Sequence, residues 1–246
     1  MIKTTAAAIL AVILSIPGYS QDYDVNVNSS SWEIAIYPNI TQRATITHNT
    51  AAKYPLESSP QISGEIGINR MLSLGKRTGF LFGLHFGIAG NNGKYSAPES
   101  EIGGSGDEIY YFNGGMAQDF TAMYIAIPFL IEQKILLANG QSLFIQGGPN
   151  VRAAFGSSSR GDMDVMEINL QNNKNIFINF TFAAGFQWKV KADKFLKCGL
   201  YFNLDPSYIA KGDFFVKTAS SFDSGTYKVQ GNCIGLMFSF GKLKYR

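Results

Sequence analysis

From Tyr124 to Phe155 apolar and polar positions alternate with a period of two. Ile125, Ile127, Phe129 and Ile131 alternate with Tyr124, Ala126, Pro128, Leu130 and Glu132. Beyond a tight turn at Ala138-Asn139-Gly140, Leu143, Ile145, Val151 and Ala153 alternate with Phe144, Gln146, Asn150, Arg152 and Ala154. Such a period puts one set on each face of a β-sheet. One face is almost wholly apolar, and the other mixes polar, small and charged residues. Each run is longer than the usual strand of about 5–6 residues. A strand that crosses a membrane, with lipid on one side and a polar lumen on the other, carries this pattern.

The same pattern recurs along the chain and predicts eight strands. The first is Ser31–Tyr37, with Trp32, Ile34 and Ile36 on one face and Trp32 at an interface, where indole prefers to lie. Gln61–Leu74 turns Ile62, Ile66, Ile68 and Leu72 outward and Ser63, Glu65, Gly67 and Asn69 inward. Thr78–Ala89 sets Phe80, Phe82, Leu84, Phe86 and Ile88 against Leu81, Gly83, His85 and Gly87. After the Tyr124–Phe155 hairpin come Asn175–Val190, Phe195–Ala210 and Tyr227–Gly241. In the seventh, Lys197, Tyr201, Asn203 and Asp205 point inward. Short turns follow strands two, four and six. Long polar stretches follow the odd ones: Pro38–Pro60, with a strand extension at Arg43–Thr47, then Gly90–Asp119, Gly156–Lys174 and Lys211–Thr226. Short periplasmic turns and long extracellular loops mark outer-membrane barrels. The expected fold is therefore all-β, an eight-stranded antiparallel up-and-down transmembrane β-barrel with both termini in the periplasm. A strand of about 13 residues at roughly 3.3 Å each, tilted near 40°, is about 30 Å tall, enough to cross the apolar band. A soluble barrel would turn its apolar face inward. That face is too bulky to fit inside eight strands, whereas Gly83, His85, Gly87, Gly148 and Asn150 suit a narrow interior.

The N-terminus adds export to this picture. Lys3 precedes an apolar run from Ala6 to Ile16, Pro17 breaks it, and Gly18-Tyr19-Ser20 offers small residues for cleavage. The expected organisation is a signal peptide over 1–20, a periplasmic lead-in over 21–30 and a barrel domain over 31–246. An uncleaved anchor is the alternative, against which the shortness of the run argues. Without Lys3 the formal charge falls from +3 to +2, spread along the chain. No basic stripe for nucleic acid exists. With 16% charged and 13% aromatic residues the composition is that of a folded β protein, not a disordered one.

Short motifs in this frame resemble the PorT-like outer-membrane β-barrel family of Gram-negative bacteria. They are Tyr124-Ile125-Ala126-Ile127-Pro128, Gly147-Gly148-Pro149, Ala183-Ala184-Gly185-Phe186 and the closing run Ile234–Phe240. Together they span roughly Gln61 to Phe240. One departure is the sequence GKLKYR after Phe240, where many barrels end on the aromatic. The resemblance implies an eight-stranded barrel. The family's eponymous member serves protein secretion and gliding, a role not carried over here.

Candidate chemistry is sparse. His48 and His85 are the two histidines. His85 falls on the lumen face as a structural group. His48, beside Thr45 and Thr47, is the one candidate general base for a lipid-modifying enzyme. No hydrolase, zinc-protease, phosphate-loop or Ca²⁺-loop motif is present, and no cofactor or metal is expected. Arg160-Gly161-Asp162 spells an integrin-binding tripeptide at a level chance explains, and Glu99, Glu101, Asp107 and Glu108 read as solvated loop charge. The lumen face carries Glu65, Glu132, Arg152, Lys197 and Asp205, with His85. In so narrow a barrel these should pair and block a pore, with Glu65 and Asp205 holding Arg152 at one depth; a small open channel is the alternative. Parity turns Cys198 outward and Cys233 inward, so no disulfide is expected. The expected protein is a non-enzymatic structural or surface-interaction barrel of the outer membrane. Its expected partners are outer-membrane lipid and lipopolysaccharide, the barrel-assembly machinery, and proteins at the extracellular loops. Alternatives are a secretion accessory factor, a narrow pore and a lipid-modifying enzyme.

Overall fold

A computed structural model describes residues 30–96, 115–137, 141–157, 166–172, 175–218 and 220–244. Eight long strands follow one another around a closed ring: β1 (Ser30–Thr41), β4 (Ile62–Ser73), β5 (Thr78–Ser96), β6 (Gly115–Leu136), β7 (Gln141–Ser157), β9 (Ile176–Lys191), β10 (Lys194–Leu204) and β13 (Cys233–Lys244). Each pairs antiparallel with the next, β5 with β6 included, and β13 returns to β1. Closure leaves no sheet edge in the apolar zone, where an unpaired backbone group would be costly.

Parity settles which side chains meet lipid. Ile34 stands opposite Ile68 on one side and Phe240 on the other, and all three are exposed. Around the ring Phe86, Ile125, Phe129, Ile178, Phe202 and Ile234 are likewise exposed, while Glu33, Glu65, His85, Gln146, Arg152 and Lys197 are buried. A barrel with its apolar residues outside and its charges inside is a transmembrane β-barrel. At the short-turn end the Arg70 guanidinium lies 4.9 Å from the Trp32 ring, and Phe186 stacks on Trp188 at 5.9 Å. These amphipathic groups mark one membrane boundary. Inward glycines make room for the largest lumen groups. A Cβ on Gly67 would collide with the His85 ring and one on Gly87 with Tyr124.

The other end departs from the sequence expectation. Five shorter strands stand there: β2 (Thr45–His48), β3 (Glu57–Pro60), β8 (Met166–Asn172), β11 (Tyr208–Lys217) and β12 (Phe222–Gln230). They correct the reading of Pro38–Pro60, Gly156–Lys174 and Lys211–Thr226 as polar loops. The stretch Gly90–Asp119 also shortens, because β5 runs on to Ser96 and β6 starts at Gly115. Strands β2-β12-β11-β8 form a separate sheet, and β3 extends the barrel sheet along β5. The expected seventh and eighth strands are each broken, at Asp205–Ser207 and Gly231-Asn232, where the chain passes from barrel to cap. Ile209, Phe214, Val216, Tyr227 and Val229 turn inward from the new sheet. They share one core with Leu56, just before β3, with Tyr95 and Ala122 from the extended barrel strands, and with Tyr124 in the lumen. The signal here was a period of two hidden by Lys211, Asp213 and Lys217 on the outer face, which make the segment look polar on average.

The signal peptide, the lead-in 21–29, the acids between 99 and 108, the tripeptide 160–162 and the turn 138–140 lie outside the described residues.

Cys198 is half-buried and Cys233 buried, and both are free. Cys198 stands opposite Phe238, and Cys233 opposite Asn203, so the two sit five residues apart along the β10–β13 ladder. A non-reducing mass spectrum of the purified chain is expected to carry both thiols, with Cys233 reacting with a maleimide only after unfolding. A mass two hydrogens lower would refute the β10–β13 register.

Candidate functional site

The barrel interior holds two clusters of charge. The first is built on Glu65. Register sets Glu65 of β4 opposite Gly87 of β5, Gly87 opposite Tyr124 of β6, and Ala126 of β6 opposite Arg152 of β7. Strand tilt and small residues then let Glu65, Tyr124 and Arg152 converge with His85 of β5. Arg152 Nη2 donates to Glu65 Oε2 at 3.0 Å, and the Tyr124 hydroxyl donates to the same oxygen at 2.9 Å. His85 Nδ1 donates to Glu65 Oε1, and its Nε2 faces Asn69 Oδ1 at 2.7 Å. The guanidinium lies 4.3 Å from the Tyr124 ring centroid and also donates to the Tyr201 hydroxyl at 3.3 Å. Tyr37 fills the centre, its ring 5.3 Å from His85 and 4.8 Å from Tyr201. Glu65, His85 and Arg152 are 4%, 3% and 0% exposed, so the pairing replaces water almost completely. Buried charges need that replacement.

The second cluster lies nearer the short turns. Lys197 Nζ of β10 donates to Glu33 Oε1 of β1 and to Glu132 Oε2 of β6, both at 2.7 Å. The Ser239 hydroxyl donates to Glu33 Oε2 at 2.9 Å, and Lys134 Nζ lies 3.2 Å from Glu132 Oε1. The ammonium is flanked by the Phe195 and Phe144 rings at 5.3 and 5.6 Å. Two cations thus balance two carboxylates, and Lys197 reaches across the lumen to join strands that are not neighbours. Glu33 was absent from the sequence-derived set. Its signal was available, since Trp32 and Ile34 point outward and parity turns Glu33 in.

Asp205 is buried and feels the charge of Arg152 but forms no ion pair with it, which corrects the expectation that it holds Arg152 together with Glu65. It sits past the end of β10, where the barrel gives way to the cap. Its Oδ1 accepts from the Ser207 amide at 3.0 Å and from the Ser207 hydroxyl at 3.1 Å. Its own amide donates to Asn232 Oδ1, and Asn232 Nδ2 donates to Gln42 Oε1 at 2.7 Å, tying three of the links between barrel and cap. Burial pushes the Asp205 carboxyl above the ordinary aspartate range, against the hydrogen bonds from Ser207. A raised acid favours the protonated form in the folded state. It therefore costs stability progressively as pH climbs from the unfolded value through the folded one. Asp205→Asn keeps the accepting oxygen and removes the charge. The variant is expected to be more stable than the parent at pH 7, with the gain vanishing in acid. A melting series from pH 3 to 8 checks this, and a variant less stable at pH 7 would contradict it.

In the cap, His48 Nδ1 of β2 donates to both oxygens of Asp223 on β12, at 3.0 and 2.9 Å. Asp223 is buried and also accepts from the Leu56 amide at 2.9 Å and the Thr50 hydroxyl at 3.3 Å. The imidazole meets Phe214 edge-on at 5.5 Å. Deeper in, the Tyr227 hydroxyl donates to Asn91 Oδ1 at 2.6 Å, and burial pushes that hydroxyl up to about 12. An aspartate holding a histidine by Nδ1 is the arrangement of a general base. The pair fastens β2 to β12, and among the described residues no hydroxyl or thiol hydrogen-bonds to the other ring nitrogen. No group of three metal-ligating side chains occurs among the described residues.

No protein-family model and no curated protein matches the chain. Several solved outer-membrane proteins align with the chain. OprG from Pseudomonas aeruginosa aligns over 89% of this chain and 97% of its own at 10% identity, with a TM-score of 0.49. AlkL, solved in DMPC lipid bilayers, aligns over 94% and 98% at 8% identity with a TM-score of 0.40. Neisserial surface protein A aligns over 85% and 95% at 10% identity with a TM-score of 0.36.

Proposed function

We propose that the chain is a non-enzymatic integral barrel of the bacterial outer membrane, with a sealed lumen and a folded cap that faces the cell exterior. The observation that carries this reading is the pair of lumen clusters, in which Arg152, Lys197, Glu33, Glu65 and Glu132 are all buried and paired across the interior. An eight-stranded barrel has an interior about wide enough for side chains alone. Filled to this extent, it offers rigidity rather than passage, and the working surface is the cap. Such a protein acts as a structural or surface-interaction element, placed by the barrel-assembly machinery and embedded in outer-membrane lipid and lipopolysaccharide. The PorT-like motifs fall on β6, β7, β9 and β13 and support membership of that family.

In planar bilayers the purified barrel is expected to show no steady conductance above leak. Ohmic steps from the unmutated protein would overturn the sealed-lumen reading in favour of a narrow pore. The His48–Asp223 pair favours a second, enzymatic reading, and lipid mass spectrometry of cells carrying His48→Gln tests it. An unchanged lipid profile is expected; loss of a lipid modification would assign the barrel an activity.

A further inference from the structure

We propose that Lys211 and Lys228, with Arg43 and Tyr208, form a site for the phosphate of a lipid headgroup on the outer wall of the cap, where it meets the apolar belt. The proposal deepens the reading above and rests on it for the leaflet that the cap faces.

Lys211 of β11 stands directly opposite Lys228 of β12. Both point away from the cap core, because Ala210, Phe214, Tyr227 and Val229 fill it. Opposed residues in an antiparallel pair hold their Cβ atoms about 4.5–5.5 Å apart, and like charges there destabilise the sheet. No described carboxylate relieves the pair. Asp213 lies on the same face of β11 and forms no ion pair with either lysine, nor does any described acid with Arg43. Lys228 Nζ lies 5.4 Å from the Tyr208 ring centroid, which keeps that ammonium beside its partner. Thr45 is opposite Lys228 on the other side, and exposed Arg43 sits two residues before it. Three cations, on β11, on β12 and just before β2, therefore share one outer surface without an ion-paired carboxylate among the described residues.

Their position selects the anion. On β1, β10 and β13 the exposed apolar residues nearest this end are Ile40, Phe202 and Ile234. Arg43 follows Ile40 by three residues and Lys228 precedes Ile234 by six. Long cationic side chains just beyond an apolar belt reach the headgroup layer, where anionic groups attract them. A lipid there lays its acyl chains on the belt and its phosphate between the lysines, turning a repulsive pair into a bridged one. A free phosphate would gain the second contact without the first.

The test uses the full chain folded in neutral detergent, following the temperature at which the fast-migrating unboiled form converts on a gel. The double variant Lys211→Gln/Lys228→Gln is compared with the parent alone, with bisphosphorylated lipid A, and with inorganic phosphate at matched concentration. Without additive, the double variant is expected to convert at the same temperature as the parent or higher, because a repulsion has gone. Lipid A should raise the parent's temperature, and the double variant should keep less than half of that rise. Inorganic phosphate should move neither. Equal rises in both proteins would place the lipid elsewhere. A double variant that is weaker without lipid would make the lysines structural. A rise from phosphate as large as that from lipid A would make this a free-anion site. A chain that never gives a fast-migrating form would overturn the barrel reading itself, and the site with it.

Discussion

Lys197→Met is expected to be among the most destabilising single substitutions in the barrel. Among the described residues the lysine is the one ionic link between Glu33 and Glu132, each 2.7 Å from its ammonium. Methionine keeps much of the length and none of the charge. Glu33 would be left with the Ser239 hydroxyl and Glu132 with Lys134 at 3.2 Å. Breaking a buried pair from one side costs about 3–5 kcal/mol, because a charge is left without a partner or water. For a chain of this size 1 kcal/mol moves the melting temperature by roughly 2–4 °C, so a loss of about 6–20 °C is expected. The control is the triple variant Lys197→Met/Glu33→Gln/Glu132→Gln. Removing all three charges removes the cause, and neutral replacement of a buried ionic triad is often harmless. The triple variant should melt well above the single one. A triple variant as unstable as Lys197→Met would mean that the cost lies in packing against Phe144 and Phe195 rather than in charge.

Arg152 supplies the second large effect. Arg152→Ala removes the donor to Glu65 and to Tyr201, and the cation over Tyr124. The loss should again be about 3–5 kcal/mol. It should exceed that of Lys134→Ala, since the Lys134 side chain is 22% exposed and Glu132 retains Lys197. Glu65→Gln should be costly too, as the carboxylate receives Arg152, Tyr124 and His85. The two sites are in contact, so their effects should not add: residues in one network commonly couple by about 0.5–3 kcal/mol. The double variant is expected to lose less than the two singles together. Additive losses would mean that the groups are solvated rather than held by one another.

Both expectations turn on pairings that parity alone does not supply. Parity identified Arg152, Glu65, Glu132, His85 and Lys197 as inward-facing, because direction alternates residue by residue along a strand whatever its neighbours do. It also turns Glu33 inward, between outward Trp32 and Ile34. Asp205 shows the limit. Counting along the seventh run turns it inward, and it is buried, but the chain turns at Pro206 and Asp205 bonds Ser207 and Asn232 instead of pairing with Arg152. The cap was missed for a related reason. In Lys211–Thr226 apolar residues are few and Lys211, Asp213, Lys217 and Asp223 raise the mean polarity to that of a loop, although buried Phe214 and Val216 keep the alternation of a strand.

What the sequence by itself determined was the faces, the strand count and the membrane-spanning character of the barrel. Each follows from a period of two and from the bulk of the outward side chains, which are local properties. What the tertiary structure decided was which charges meet. Lys197 on β10 finds Glu33 two strands away on β1 and Glu132 across the ring on β6, a choice made by closure and strand stagger together. The cap core is of the same kind: Leu56, Tyr95, Phe214 and Tyr227 come from four separate stretches of chain and are apolar neighbours only once the ring has closed beneath them. Contacts between distant segments depend on register around the whole barrel, and no short window of sequence contains that register.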